Sequence, residues 1–256
     1  MNLQRFIDAK QDELAQLRRC MPAPLSAKRT DFLAALSAPP REGLPLHVVA
    51  EFKRASPSAG VINDTLAPAD VAQQYASGGA SCMSVLTEEQ YFIGHVRDLS
   101  AAAPAGLPLL RKDFIFDELQ VRQTFATPAS ALLLIVALTP DAARLRALRE
   151  LAEEQGIHAV VEVFTPAELE LARESGARII QVNARNLETF RTDREEGLKL
   201  AALRAEGEIW IAASAMSERA HLQAAAAAGY NAALLGTALM QPGAGSPLKN
   251  LLRLKS

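Results

Sequence analysis

Charged and amide side chains stand at the ends of several otherwise apolar runs: Glu51-Phe52-Lys53, Lys112-Asp113, Glu162 and Asn183-Ala184-Arg185. Lysine and glutamate are groups that move protons, and lysine and arginine are groups that hold anions. A charge at the end of an apolar strand costs free energy unless it is paired or used. Glu51–Lys53 and Lys112–Glu162 could each be a stabilising ion pair at the rim of a sheet. For any single residue that reading stands level with a functional one; for the whole constellation a site is the better account. Ser214 and Gly236-Thr237 add a second signal. They follow the last two apolar runs, where barrels of parallel strands often bind phosphate on backbone N–H groups, aided by a short helix N-terminus. Ser, Gly and Thr are common in loops, so this signal has weight only beside the first. Gly243-Ala244-Gly245 reads as a plain loop.

The elements that must position these residues follow a regular pattern. Apolar runs rich in Val, Ile and Leu occupy Leu46–Phe52, Ser81–Leu86, Leu107–Leu110, Ala131–Ala137, His158–Val163, Arg178–Val182, Glu208–Ala212 and Ala232–Leu235. They are near-continuous rather than alternating, as strands buried on both faces of a parallel sheet must be. Helix-like segments follow each run: Ala69–Ser77, Gly94–Ala102, Asp117–Thr124, Asp141–Gln155, Ala167–Ser175, Glu195–Ala205, Glu218–Ala228 and Pro247–Leu254. Pro68, Pro140 and Pro166 lie at or near helix starts, and Gly79, Gly156, Gly176 and Gly229 lie where helices should stop. Eight βα units with no glycine-rich linker predict a single (β/α)8 TIM barrel, and 256 residues is the right length for one. A doubly wound sheet is the rival fold. The barrel is expected over residues 46–256, with residues 1–45 as an N-terminal helical extension. In that extension Leu3, Phe6, Ile7, Leu14 and Leu17 share a helical face, and Asp31 could cap a second helix around Phe32–Leu36. It is either a plug over one end of the barrel or a lid over the site.

Several function classes are disfavoured. With 27 basic and 29 acidic side chains, nucleic acid has no global attraction, and sparse aromatic residues make a base-stacking platform a poor reading. His47, His95, His158 and His221 show no metal-ligand spacing and stand at no strand end, so they read as structural or surface residues, with no metal. No G-x-S-x-G elbow, GxGxxG or GxxxxGK[ST] occurs. Cys20 and Cys82 form no disulfide framework, which points to a reducing cytoplasm. No secretory leader opens the chain, because Arg5, Asp8, Lys10, Asp12 and Glu13 interrupt it. The longest uncharged stretch, Ala220 to Leu248, is broken by Gly229, Asn231, Gly236, Pro242 and Pro247, so no membrane span is expected.

At the candidate residues the sequence closely resembles the indole-3-glycerol phosphate synthase family. The resemblance is carried by Ala50-Glu-Phe-Lys-Arg-Ala-Ser-Pro-Ser58 with Gly60, Ser84-Val-Leu-Thr-Glu88 and Leu109-Leu-Arg-Lys-Asp-Phe-Ile115. Val161-Glu-Val163, Asn183-Ala-Arg185 and Leu235-Gly-Thr-Ala-Leu-Met240 complete it. It implies closure of an indole ring, with loss of CO2 and water, from a small anionic substrate, 1-(2-carboxyphenylamino)-1-deoxyribulose 5-phosphate. It assigns Lys112 as the acid of ring closure and Glu162 to the later proton transfers. Lys53 would lie near the anionic substrate, with Glu51 orienting a lysine or relaying a proton. Asn183 and Arg185 would hold hydroxyls and the anthranilate carboxylate. Ser56 would line the first loop, and Phe114 and Leu133 would wall the ring. Ser214, Ala215, Gly236 and Thr237 would serve the phosphate side. Two neighbouring, partly desolvated ammonium groups are expected to lower each other's pKa. The family's extension covers the active site. No metal or organic cofactor is implied, and the partner state expected is a monomer or weak homodimer.

The sequence also departs from the family pattern. Ala213-Ser214-Ala215 stands where Glu-Ser-Gly is usual, Ala59 where a lysine is usual, and Gln181 where a glycine is usual. Pro128 and Ser130 replace a Gly and an Asp. These changes motivate a second reading, a non-catalytic or weakly active paralogue that binds an anthranilate-derived sugar phosphate. A phosphoribosylanthranilate isomerase is disfavoured because Lys53 stands where that family uses a cysteine. A Schiff-base aldolase would use a lysine covalently.

Overall fold

The computed structural model describes residues 3–185, 193–240 and 248. The predicted helix Pro247–Leu254 and the loop Gly243–Gly245 lie almost entirely outside these. Eight parallel strands close into a barrel: β1 His47–Phe52, β2 Cys82–Leu86, β3 Leu109–Ile115, β4 Ala131–Ile135, β5 His158–Val163, β6 Ile179–Asn183, β7 Ile209–Ala213 and β8 Ala232–Leu235. β8 returns to β1 in register from His47↔Ala232 to Ala50↔Leu235, so no edge is left unpaired. The rival open sheet is thereby corrected.

Residues pointing out of the barrel, such as Val48, Ala50, Met83, Val161 and Ile180, pack in one buried cluster under the surrounding helices. Those pointing in, such as Val49, Cys82, Leu110, Val160, Ile179 and Ile211, form a second cluster that fills the barrel. Both faces of every strand are thus buried, which explains the unbroken apolar runs. Helix boundaries follow local chemistry. Pro68 and Pro166 occupy first turns, Thr165 and Asp117 head capping boxes, and Gly156, Gly176 and Gly229 adopt the left-handed conformation between helix and strand. Pro140 instead precedes the cap residue Asp141.

β3 differs from its predicted extent. It continues five residues past Leu110, so Lys112 lies within the strand rather than beyond it. The alternation of the strand explains this. Arg111 and Asp113 point outward into a buried polar network, while Lys112 points into the barrel mouth.

The N-terminal extension packs against both ends of the barrel. Its first amphipathic stretch breaks at Ala9–Lys10 into α1 Gln4–Asp8 and α2 Gln11–Arg19, where a single helix was predicted. These helices cover the C-terminal end of the barrel. Lys10 Nζ reaches Asp113 at 2.5 Å and Glu13 at 2.8 Å, and Glu13 also meets Arg111. The chain then runs down the barrel wall, with Leu25 N donating to Phe125 O and Arg29 to the carbonyls of Phe125 and Thr127. It ends in α3 Phe32–Ser37, capped by Asp31 as expected. α3 closes the opposite end, because Asp31 meets His158 and the Ala38 carbonyl meets His47, both at strand starts. No helix of the described residues is long and apolar enough to cross a membrane.

Candidate active site

All thirteen candidate residues line one cavity of about 260 Å³ at the C-terminal mouth of the barrel: Glu51, Lys53, Ser56, Lys112, Phe114, Leu133, Glu162, Asn183, Arg185, Ser214, Ala215, Gly236 and Thr237. A two-residue period along each strand aims the inward set, and the loops beyond the strands supply the rest.

Glu51, at the end of β1, is the electrostatic centre. It is buried, and its two oxygens bridge two ammonium groups, with Oε2 at 2.7 Å from Lys112 Nζ and Oε1 at 3.0 Å from Lys53 Nζ. Burial alone would push the Glu51 carboxyl pKa upward, but the attraction of Lys112 and then Lys53 overcomes this and holds it at about 2. The expected mutual lowering of the lysines is corrected at Lys112. Burial pulls the pKa of its ammonium down, yet the Glu51 and Glu162 carboxylates outweigh burial and Arg185, and the net shift is upward. Of the two rim ion pairs that the sequence allowed, Glu51–Lys53 forms, whereas Lys112 pairs with Glu51 and not with Glu162. Gly236 makes this possible: a Cβ there would lie 2.2 Å from Glu51 Oε1.

Glu162, buried on β5, is held by neutral donors instead. Gln181 Nε2 donates to Oε2, and Asn183 Nδ2 donates to Oε1 at 3.0 Å. Asn183 Oδ1 accepts from the Arg185 backbone N–H at 3.0 Å and from Ser214 Oγ at 2.7 Å. The Arg185 guanidinium reaches Ser58 Oγ in the loop after β1. In that loop Ser56 Oγ accepts from Ala59 N. Arg54 braces its base by pairing with Asp98, donating to Ile93 O and lying over the Phe52 ring. On the phosphate side, Ser214 and Ala215 both have positive φ, +67° and +56°. The backbone therefore turns through two successive left-handed residues, a conformation that glycine adopts more cheaply.

Sequence reasoning gave no site role to Phe6, Phe92 or Met216, which also line the cavity. Phe6 of the lid stacks on Phe114 with ring centroids 4.1 Å apart, and Tyr91 meets it edge-on. Its position on an apolar helical face could not separate it from an ordinary core residue. Glu88, also in the cavity wall, accepts the N–H groups of Gln90, Tyr91 and Phe92 and so shapes the loop that brings Phe92 in. The histidines sit apart from the cavity. His47 and His158 bond at the barrel base, while His95 and His221 meet surface partners. Among the described residues no group of three or more His, Cys, Asp or Glu side chains could hold a metal ion.

A family model for indole-3-glycerol phosphate synthase matches residues 3–248. Proteins named indole-3-glycerol phosphate synthase are similar along most of the chain. The one from Lacticaseibacillus paracasei is 40% identical over 233 residues, which is 91% of this chain and 87% of that one. The one from Micrococcus luteus is 40% identical over 253 residues, covering 94% and 93% of the two chains. That from Chloroherpeton thalassium is 43% identical over 223 residues, covering 86% and 82%. Among solved structures, N-acetylmannosamine-6-phosphate 2-epimerase from Clostridium perfringens superposes with a TM-score of 0.61 at 13% identity, covering 86% of this chain and 95% of that one. That likeness speaks to the barrel alone. With near-complete matches in sequence, the chain belongs to the indole-3-glycerol phosphate synthase family.

Proposed function

We propose that the cavity binds 1-(2-carboxyphenylamino)-1-deoxyribulose 5-phosphate and that the chain converts it to indole-3-glycerol phosphate, as the family's name implies. The observation that carries this reading is Glu51 bridging two ammonium groups in the same cavity as the amide-held Glu162. The substrate carries a carboxylate and a phosphate, and Lys53, Lys112 and Arg185 supply the complementary charge.

The ring carbon bearing the carboxylate attacks the ribulose carbonyl, whose oxygen takes a proton from the Lys112 ammonium. The raised pKa of Lys112 does not bar this step, because an alkoxide is more basic than an amine. CO2 then leaves and returns the ring electrons. Departure of the new hydroxyl as water needs an acid on that oxygen, which the Lys53 ammonium supplies, and a base for the proton leaving the neighbouring ring carbon, a transfer that falls to Glu162. Phe114 and Leu133 offer the aromatic ring an apolar wall, and Phe6 covers it. Arg185 and Asn183 receive the anthranilate carboxylate and sugar hydroxyls. Ser214, Ala215, Gly236 and Thr237 receive the phosphate. Every one of these residues comes from a single chain, which fits a monomer or a weak homodimer.

The test is turnover of that substrate, followed by indole fluorescence. Lys112→Ala should lower kcat by about 10²–10⁴-fold while KM changes little. Loss confined to KM would overturn the role given to Lys112. A specific observation favours one alternative, a relative that binds without efficient turnover: Ala213 and the left-handed Ala215 stand on the phosphate side. Binding of the substrate without product would select it.

A further inference from the structure

We propose that Gln181 is a positioning residue that fixes the Glu162 carboxylate from beneath the cavity. The inference rests on the reading of Glu162 as a proton-transfer group.

Gln181 and Glu162 are partners in the β5–β6 ladder. Gln181 shares the inward face of β6 with Asn183, but its side chain is fully buried and does not line the cavity. It therefore touches no substrate. What it touches is Glu162: its Nε2 donates to Oε2, while Asn183 Nδ2 donates to Oε1. Two successive inward positions of one strand thus hold the two carboxylate oxygens separately. A single hydrogen bond would leave the terminal torsion of the glutamate free, because that torsion is broad. Two donors on a rigid strand fix the carboxylate plane.

The side chain is a poor choice for any purely structural purpose. Gln181 Oε1 is buried with no hydrogen-bond partner, so half of the amide is desolvated for nothing. A methionine or leucine would fill the same space without that cost. The reverse orientation of the amide would set its oxygen against a Glu162 oxygen, so the partner dictates which half is satisfied. A neutral donor also has an advantage over a charged one. It constrains Glu162 without neutralising it, whereas Glu51 is clamped by two ammonium groups. The two carboxylates of one cavity are thereby given different environments, which is how paired acids acquire different tasks.

The test compares Gln181→Met, which keeps length and removes the donor, with Gln181→Asn, which keeps the amide but cannot reach. In both, kcat should fall by about 10-fold with KM within about twofold, as expected for a misplaced reacting group. The melting temperature of Gln181→Met should be no lower than that of the unaltered protein. A purely structural residue would show the opposite split, with lower stability and unchanged kcat. A readout independent of turnover is the carboxamide N–H pair of Gln181 in 15N-labelled protein, identified by its loss in Gln181→Met. One proton should exchange slowly with solvent, and it should lose that protection in Glu162→Ala. A folded Gln181→Met or Gln181→Asn with kcat within twofold of the unaltered protein overturns the proposal, as does a carboxamide signal indifferent to Glu162→Ala. Absence of product from the unaltered protein would instead defeat the proposed reaction, while the carboxamide signal would still decide whether Gln181 holds Glu162.

Discussion

Replacing Gly236 by alanine tests whether Glu51 must stand where it does. The backbone φ at Gly236 is −123°, outside the left-handed region that favours glycine, and the contact a methyl group would make with Glu51 sets its effect. The new Cβ would lie 2.2 Å from Glu51 Oε1, 3.0 Å from its Cδ and 3.3 Å from Lys53 Nζ. Restoring a van der Waals separation requires the carboxylate to retreat by roughly 1 Å. An exposed glutamate would swing aside at little cost. Glu51 is buried and held by Lys112 at 2.7 Å and Lys53 at 3.0 Å. A retreat of roughly 1 Å stretches at least one of these contacts beyond hydrogen-bond range. It also displaces the ammonium that is to meet the substrate. A misplacement of this size costs about 10²-fold in rate, equivalent to about 2.7 kcal/mol of barrier. Steady-state turnover of Gly236→Ala should show that loss in kcat, alongside a modest overpacking penalty of about 1–3 kcal/mol in urea denaturation. Glu51→Asp, one methylene shorter, withdraws the carboxylate from the methyl group. The doubly substituted protein should therefore lose less than the product of the two single losses. A folded Gly236→Ala with kcat within twofold of the unaltered protein, or losses that simply multiply, would refute the reasoning.

Three further outcomes are expected. Ala215→Gly relieves a left-handed non-glycine residue and should add about 1 kcal/mol of stability, raising Tm by about 2–4 °C; an unchanged or lower Tm counts against strain at this loop. Phe6→Ala removes the stack on Phe114 and part of the cavity roof, so stability should fall by about 3 kcal/mol and KM should rise more than kcat falls; an unaltered KM would separate the lid from binding. Burial would raise the Asp113 pKa, but Lys10 and Arg111 overcome it and hold the carboxyl at about 2, below its unfolded value near ~3.9. Its contribution is therefore complete above pH ~4 and is lost as pH falls through about 2. Urea denaturation should show Asp113→Asn less stable at pH 7 by on the order of 2 kcal/mol, with the gap narrowing between pH 4 and 2. A constant gap over that window would show that the carboxylate charge is not what matters.

The barrel was legible because each level of the sequence agreed: unbroken apolar runs, prolines in first turns and glycines before strands all pointed to βα units. The cavity was legible because Glu51, Lys112, Glu162 and Asn183 are polar at inward positions that an apolar core would otherwise fill. What the sequence concealed was partnership. Lys112 reads equally well beside Glu51 or Glu162, and only the strand positions choose Glu51; both carboxylates together turn the Lys112 pKa upward, against the expected lowering. Phe6 was hidden for a different reason, since roofing a cavity and filling a core use the same residue on the same helical face.

Arg111, Lys112 and Asp113 show how these matters join. Three consecutive charges read as the end of a strand, yet the chain stays extended through them because they serve opposite faces. Lys112 points inward to Glu51, while Arg111 and Asp113 point outward to Glu13, Lys10 and Thr87. A slip of one residue would expose Lys112 to the outer helices and bury two opposite charges in the cavity, so the register of β3 is fixed from both sides. The lid is thus tied to the same few peptide units that carry the proposed acid. Its anchoring contacts, Lys10 with Asp113 and Glu13 with Arg111, would both break on release of α1 and α2, leaving Asp113 with Arg111 as its remaining cation. Coverage of the barrel mouth and placement of Lys112 therefore depend on the same strand.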